Sequence, residues 1–183
     1  MKDLAVYIPV YNDAAYLPAV IEALSGLDPN RTEIVAVNDG STDNTPRLLD
    51  EWAAKSPHVR VIHQRNMGRS GARNTALEAV TGRYVWACDG DDKPQAAGAM
   101  KALDLALSKN LDALFCRFAY GGIAGDVPQP FDSAGSPLAR VWNKWDVLMP
   151  AALLRRDVIA ANNLRFDRSL ERSEDVDFVW RRS

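Results

Sequence analysis

Asp89, Gly90, Asp91 and Asp92 set two carboxylates two residues apart with a glycine between them. In an extended chain such positions project to the same side, so Asp89 and Asp91 can aim at one point while Gly90 keeps the backbone approachable. Two hard carboxylates at one point suit Mg2+ or Mn2+, which keeps positions open for waters and substrate phosphates. Taken alone, the same residues read first as a polar turn ahead of the helix that Pro94 opens. A second group, Asn38-Asp39-Gly40-Ser41-Thr42-Asp43, offers a carboxylate, a permissive glycine and several hydroxyl or amide groups able to hold a base or a ribose. It also reads as an ordinary turn feeding the next helix. Between Asn66 and Asn74, Arg69 and Arg73 stand near a predicted helix amino terminus, where a cation is unfavourable unless an anion is close. A bound diphosphate accounts for them, and so does a solvated helix face. Glu174 and Asp175 open a last helical segment, where acids favour the helix dipole.

Hydrophobic periodicity supplies the elements that must position these groups. Strands are expected at Leu4–Val10, Glu33–Val37, Val59–His63, Tyr84–Cys88 and Ala113–Phe118. Helices are expected at about Ala15–Leu24, Pro46–Lys55, Ser70–Val80 and from Pro94 to about Lys109, with Thr45 as the N-cap before a proline at the first helical position. Strands alternating with helices of this length need crossover connections, so the first two thirds of the chain should form a mostly parallel α/β sheet with helices on both faces. Ligands of such sheets bind beyond the carboxyl ends of the strands. Asp39, Asp89 and Asp91 all lie there. Ala119 to Ala139 carries glycine, proline and polar residues with weak periodicity, and reads as a long loop or small hairpin.

Composition narrows the partners. A chain of 183 residues with 47% hydrophobic content can bury a sizeable core without staples. A formal charge of −2 and a pI near 5.7 give no basic face for nucleic acid. Cys88 and Cys116 lack the spacing of a zinc site or a disulfide framework, which fits a reducing cytoplasm. His58 and His63 make no metal spacing and are assigned no chemistry. There is no charged-then-apolar leader, and no stretch approaches the ~20 apolar residues of a membrane span. The last helix stops at Arg181-Arg182-Ser183 without a capping glycine, as expected of an incomplete domain.

Taken in order, Val6-Tyr7-Ile8-Pro9-Val10-Tyr11-Asn12, Val37 to Asp43, Asn66 to Asn74, Asp89 to Asp92, Trp142-Asn143-Lys144 and Glu174-Asp175 resemble the successive motifs of family 2 glycosyltransferases, over about residues 4 to 180. The resemblance implies a GT-A fold, with a Rossmann-like nucleotide-binding half and an acceptor-side region. It also implies a nucleoside-diphosphate sugar donor, a divalent metal (Mn2+ or Mg2+) and inversion at the anomeric carbon. Residues 1–183 would be one catalytic domain, with 1–118 the nucleotide-sugar part and 119–183 the acceptor side. By the same resemblance Asp39 bonds the uracil or other base, Pro9 and Tyr11 wall its pocket, and Arg73 lies near the nucleotide. Asp89 touches the ribose, Asp91 holds the metal on the diphosphate, and Asp92 faces the sugar or acceptor. Asp175 is the first choice for catalytic base and Glu174 the second. Asn38 stands where the family often has another aspartate, which leaves the nucleotide preference open.

The acceptor would be a saccharide or a lipid-linked acceptor in cell-surface polysaccharide or glycoconjugate synthesis, with peripheral attachment to the inner membrane face through further carboxyl-terminal residues. Direct displacement needs a base for the acceptor hydroxyl and charge stabilisation on the leaving diphosphate, and the expected carboxylates and metal supply both. Trp142, Trp145 and Trp180 could stack on a sugar or anchor a core, and Lys144 could meet a phosphate or solvent. The alternative is a nucleotide-sugar-binding module without turnover. A dinucleotide oxidoreductase is disfavoured, because no glycine-rich turn follows the first strand.

Overall fold

The computed structural model describes residues 1–116, 152–170 and 174–180. Strands and helices alternate from the amino terminus as β1 (Leu4–Val10), α1 (Leu17–Leu24), β2 (Thr32–Asp39), α2 (Thr45–Lys55), β3 (Val59–Gln64), α3 (Gly68–Ala79), β4 (Tyr84–Ala87) and α4 (Ala96–Ser108). They are followed by β5 (Ala113–Phe115), β6 (Ala152–Arg155), α5 (Arg156–Ala161) and α6 (Glu174–Trp180). The sheet order is β3-β2-β1-β4-β6-β5. β1 to β4 pair in parallel, and β6 enters antiparallel between β4 and β5. This is the expected α/β architecture, a mostly parallel sheet with helices on both faces.

β1 lies inside the sheet and is buried on both sides, which is why Leu4 to Val10 reads as one apolar run rather than an alternation. Successive side chains still go to opposite faces. Leu4, Val6, Ile8 and Val10 join Ile34 and Ala36 against Leu17, Val20 and Leu24 of α1, Leu49 and Trp52 of α2, and Leu103 of α4. Ala5 and Tyr7 join Val35, Val37, Val85 and Ala87 against Ala72 and Ala76 of α3, with Ile159, Phe166 and Phe178 beyond. Thr45, Leu49 and Trp52, four and three residues apart, make the single stripe that α2 buries.

Several boundaries depart from expectation. Asn44 is the N-cap of α2 and Thr45 its first residue, whose N–H donates to Asp43 Oδ1 at 2.9 Å, so the side chain securing this helix start is Asp43. α4 begins at Ala96, because Gln95 is still extended after Pro94. β6 and α5 were not anticipated. The loop expected at Ala119–Ala139 and the end of the strand expected at Phe118 lie outside the described residues. Cys88 and Cys116 are free thiols. Among the described residues no helix is long and apolar enough to cross a membrane.

Candidate functional site

β1 has β2 on one side and β4 on the other, so the chain changes direction across the sheet between β1 and β4. A crevice opens at such a point beyond the strand ends. The loops there are stitched together. Asn12, at φ +56°, donates its N–H to Ser41 Oγ at 3.0 Å and accepts the Thr42 N–H on Oδ1 at 2.8 Å, while the Ala14 N–H donates to Asp43 Oδ2 at 3.1 Å. The β1–α1 and β2–α2 loops therefore form one rim, which carries half-buried Pro9 and exposed Tyr11.

Asp39 ends β2 and is buried. Its Oδ1 accepts the Gln64 Nε2–H at 2.7 Å and the Met67 N–H at 2.8 Å, tying the β2 end to the start of α3. Gly40 must be glycine: its φ is +74°, and a Cβ would stand 2.7 Å from the Asn66 nitrogen.

The Asp89–Asp92 segment is not extended. The Asp92 N–H donates to the Asp89 carbonyl at 3.2 Å and Asp92 Oδ2 accepts the Asp89 N–H at 2.7 Å, so residues 89–92 close as a turn and the same-side argument from strand geometry does not apply. Gly90 is buried against Asp13, where a Cβ would lie 2.5 Å from Oδ2. That packing brings a carboxylate that sequence reasoning left unused, Asp13, to the turn. Burial raises the Asp13 carboxyl above its usual range; the Tyr11 N–H opposes the rise, and the charges of Asp91, Asp43 and Asp89 add to it. Asp92 is pushed up to about 6, chiefly by burial, with the Asp89 N–H opposing and the charges of Asp89 and Asp91 adding. Asp91 is exposed.

Behind the turn, Arg73 is 3% exposed and joins two strand-end and helix carboxylates. Nη2 donates to Asp89 Oδ1 at 2.9 Å and Oδ2 at 3.1 Å, and Nη1 donates to buried Glu174 Oε1 at 2.7 Å. Its guanidinium carbon sits 5.4 Å from the Phe166 ring centroid, and Phe166 stacks on Phe178 at 4.2 Å. The anions that excuse a cation at this helix start are thus protein carboxylates, correcting the choice between diphosphate and solvent for Arg73. Arg69, exposed, reaches the same Glu174 oxygen at 3.4 Å. α3 is fastened to the segment before α6 by Ser70 Oγ–H to the Asp167 carbonyl at 2.9 Å and by Asn74, which donates to the Phe166 carbonyl and accepts its N–H, both at 2.8 Å. Beneath lies Tyr7, whose buried hydroxyl has no hydrogen-bond partner among the described residues and is raised in pKa by burial.

The structure therefore brings Pro9, Tyr11, Asp39, Arg73, Asp89, Asp91, Asp92, Glu174 and half-buried Asp175 to one end of the sheet. Trp142, Lys144 and Trp145 lie outside the described residues, as does the Trp180 side chain. Asp13 carried a readable signal, an acid just past a strand end like Asp39 and Asp89. Phe166 carried none, and the motifs that include Tyr7 and Asn74 did not show their roles, because those roles depend on tertiary packing.

The fold has known counterparts. The uncharacterized glycosyltransferase YibD of Escherichia coli is 32% identical over 190 residues, covering 97% of this chain and 54% of YibD. TarS of S. aureus, solved in complex with UDP-GlcNAc, superposes with a TM-score of 0.81 at 25% identity over 99% of this chain and 53% of that one. The mannosyltransferase PcManGT of Pyrobaculum calidifontis, solved with GDP-Man and Mn2+, shares the fold at a TM-score of 0.72 and 19% identity, over 97% of this chain and 51% of that one. The chain spans about half the length of these relatives. Residues 5–159 match the family described as glycosyl transferase family 2, and with the GT-A sheet and strand-end carboxylates in place, the chain belongs to that glycosyltransferase family.

Proposed function

We propose that the chain takes a nucleoside-diphosphate sugar, UDP-linked before others, and moves the sugar to an acceptor hydroxyl with inversion. The observation that carries this reading is the meeting of the Asp39 loop, the Asp89–Asp92 turn and the α6 carboxylates at the β1/β4 crevice. Residues 1–118 hold the donor and 119–183 the acceptor side. Asp39 keeps lone pairs beyond those taken by Gln64 and Met67, which suits it to accept an N–H of the base, with Pro9 and Tyr11 as the pocket wall. Asp89, held by Arg73, faces the ribose. Asp175, half-buried at the start of α6, takes the acceptor proton, and the Glu174 carboxylate, bonded to Arg73 and Arg69, serves to fix α6.

A divalent cation fits the residues at the turn. Asp91 is exposed beside Asp89 and Asp13, and the Asp13 carboxyl is raised by burial together with its acidic neighbours, so hard oxygens and excess negative charge coincide there. Among the described residues no three acids, histidines or cysteines make a metal cage, so a cation held at Asp91 would need phosphate and water to complete its shell. Bound at Asp91, Mn2+ or Mg2+ would neutralise charge developing on the departing diphosphate. Calorimetry of UDP binding in Mn2+, in chelator and in Asp91→Ala tests the site. Binding should depend on metal in the wild type and lose that dependence in the variant. Equal affinity in chelator would remove the metal, and no UDP binding at all would remove the donor assignment.

A further inference from the structure

β2 and β3 pair with Asn38 opposite His63, at the edge of the sheet face that α2 covers. His63 Nδ1 lies 2.9 Å from Asn38 Nδ2, and Nε2 lies 3.0 Å from Asp50 Oδ1 on α2. Heavy-atom distances alone do not orient an amide or an imidazole. The neighbours do. The Ser41 N–H donates to Asn38 Oδ1 at 3.0 Å, so the amide cannot be flipped without facing one donor with another. Asn38 Nδ2 therefore points its hydrogen at His63, Nδ1 must be a bare acceptor, and Nε2 carries the hydrogen given to Asp50. The chain continues outward, since Ser41 Oγ accepts the Asn12 N–H at 3.0 Å and Asn12 Oδ1 accepts the Thr42 N–H at 2.8 Å. Five hydrogen bonds donated in one direction thus run from the rim that carries Asp39 and Tyr11 down to Asp50, from Thr42 through Asn12, Ser41, Asn38 and His63.

We propose that His63, as the neutral Nε2–H tautomer anchored by Asp50, is a positioning residue for the donor. It fixes Asn38, and through Asn38 it pre-organises the Asn38–Asp43 loop for nucleotide binding. His63 touches no ligand in this scheme and acts through Asn38. Its effect belongs to affinity for the nucleotide, because a loop ordered before binding need not be ordered by it. This rests on the donor assignment above.

Two measurements decide it. The chain has two histidines, so 15N correlation spectra can assign both rings after one substitution. The expected His63 pattern is a protonated Nε2 with an unprotonated Nδ1, changing in Asn38→Asp, which turns an acceptor toward Nδ1 and calls for a proton there. An Nδ1–H tautomer in the wild type would overturn the proposal. In calorimetry with Mn2+, His63→Leu should bind UDP roughly fivefold to tenfold more weakly, the loss of about one hydrogen bond's contribution. His63→Asn, which sets an amide oxygen near the Nδ1 position, should recover most of that loss, and kcat at saturating donor should change little in either. Unchanged UDP affinity in His63→Leu would overturn the role, as would equal losses in the Leu and Asn variants. If the wild type bound no UDP, the donor assignment and the positioning role would fall together, while the tautomer would still be decided by the spectra.

Discussion

The two faces of the sheet are built from the same strands but on different terms. The face under α1, α2 and α4 is aliphatic from Leu4 to Val10, takes in the Tyr84 phenol and, among the described residues, buries no charged side chain. The face under α3, α5 and α6 uses smaller side chains, Ala5, Val35, Ala72 and Ala76, and in the space they leave it buries a phenol, a guanidinium and two carboxylates: Tyr7, Arg73, Asp39 and Glu174. Burying apolar area stabilises at roughly 25 cal/mol per Å2 with no demand on geometry. A buried charge is tolerable only while its partners stay in place. One face therefore supplies stability, and the other couples stability to the arrangement of the site.

That difference breaks most visibly at Arg73. Arg73→Met keeps the volume but leaves Asp89 and Glu174 without their shared cation, and should cost ~3–5 kcal/mol in denaturant unfolding. UDP affinity of the molecules that remain folded should fall too, because Asp89 loses the fork that orients it. Leu49→Ala, on the aliphatic face, should cost a comparable ~2–5 kcal/mol by leaving a cavity. Its UDP affinity per folded molecule should stay at the wild-type value. Wild-type affinity in Arg73→Met, or lost affinity in Leu49→Ala, would erase the distinction between the faces.

A sharper cut separates two adjacent residues of α6. Asp175→Asn keeps shape and hydrogen bonding but cannot accept a proton, so sugar transfer per folded molecule should fall by roughly 10²-fold while UDP affinity holds. Glu174→Gln instead removes the charge facing Arg73 and should lower the melting temperature first. The assignment of base and anchor reverses if transfer is lost in Glu174→Gln at unchanged stability while Asp175→Asn remains active.

Much of this layout was legible in the sequence, and the limits were physical. β1 is bounded as expected, Leu4–Val10, because a strand buried on both faces is a continuous run of branched and aromatic residues. The strand ends placed Asp39 and Asp89 correctly, since parallel sheets open their crevice there. Local pattern could not show β6, four residues inserted antiparallel between β4 and β5 and specified by pairing partners rather than periodicity. Nor could it show that Arg73 is answered by Asp89 and Glu174, because Glu174 is 101 residues away. At Asp89–Asp92 the turn reading holds and the extended one does not for a third reason: a backbone hydrogen bond and the packing of Gly90 on Asp13 outweigh the strand geometry that ends at Ala87. His63 drew no chemistry because its role depends on register with Asn38.

The smallest expected effect reads the electrostatics of the polar end directly. Asp92 has a folded pKa of about 6 against an ordinary 3.8, raised chiefly by burial, so between those values the folded protein holds a proton that the unfolded chain has released. Stability from this group is present below about pH 4, declines as pH rises through the window, and is gone above about pH 6. Asp92→Asn removes the titration and keeps an oxygen able to accept the Asp89 N–H. The melting-temperature difference, wild type minus variant, should fall between pH 4 and 6 and then level off. Asp13, also raised by burial, titrates in both proteins and cancels in the difference. Saturating Mn2+ should displace the decline toward lower pH, because a cation at the turn favours the ionised carboxylate. A difference that is flat across the window would mean that Asp92 is solvated in solution, and with it would go the picture of a turn whose acidic side chains are crowded against Gly90 and Asp13.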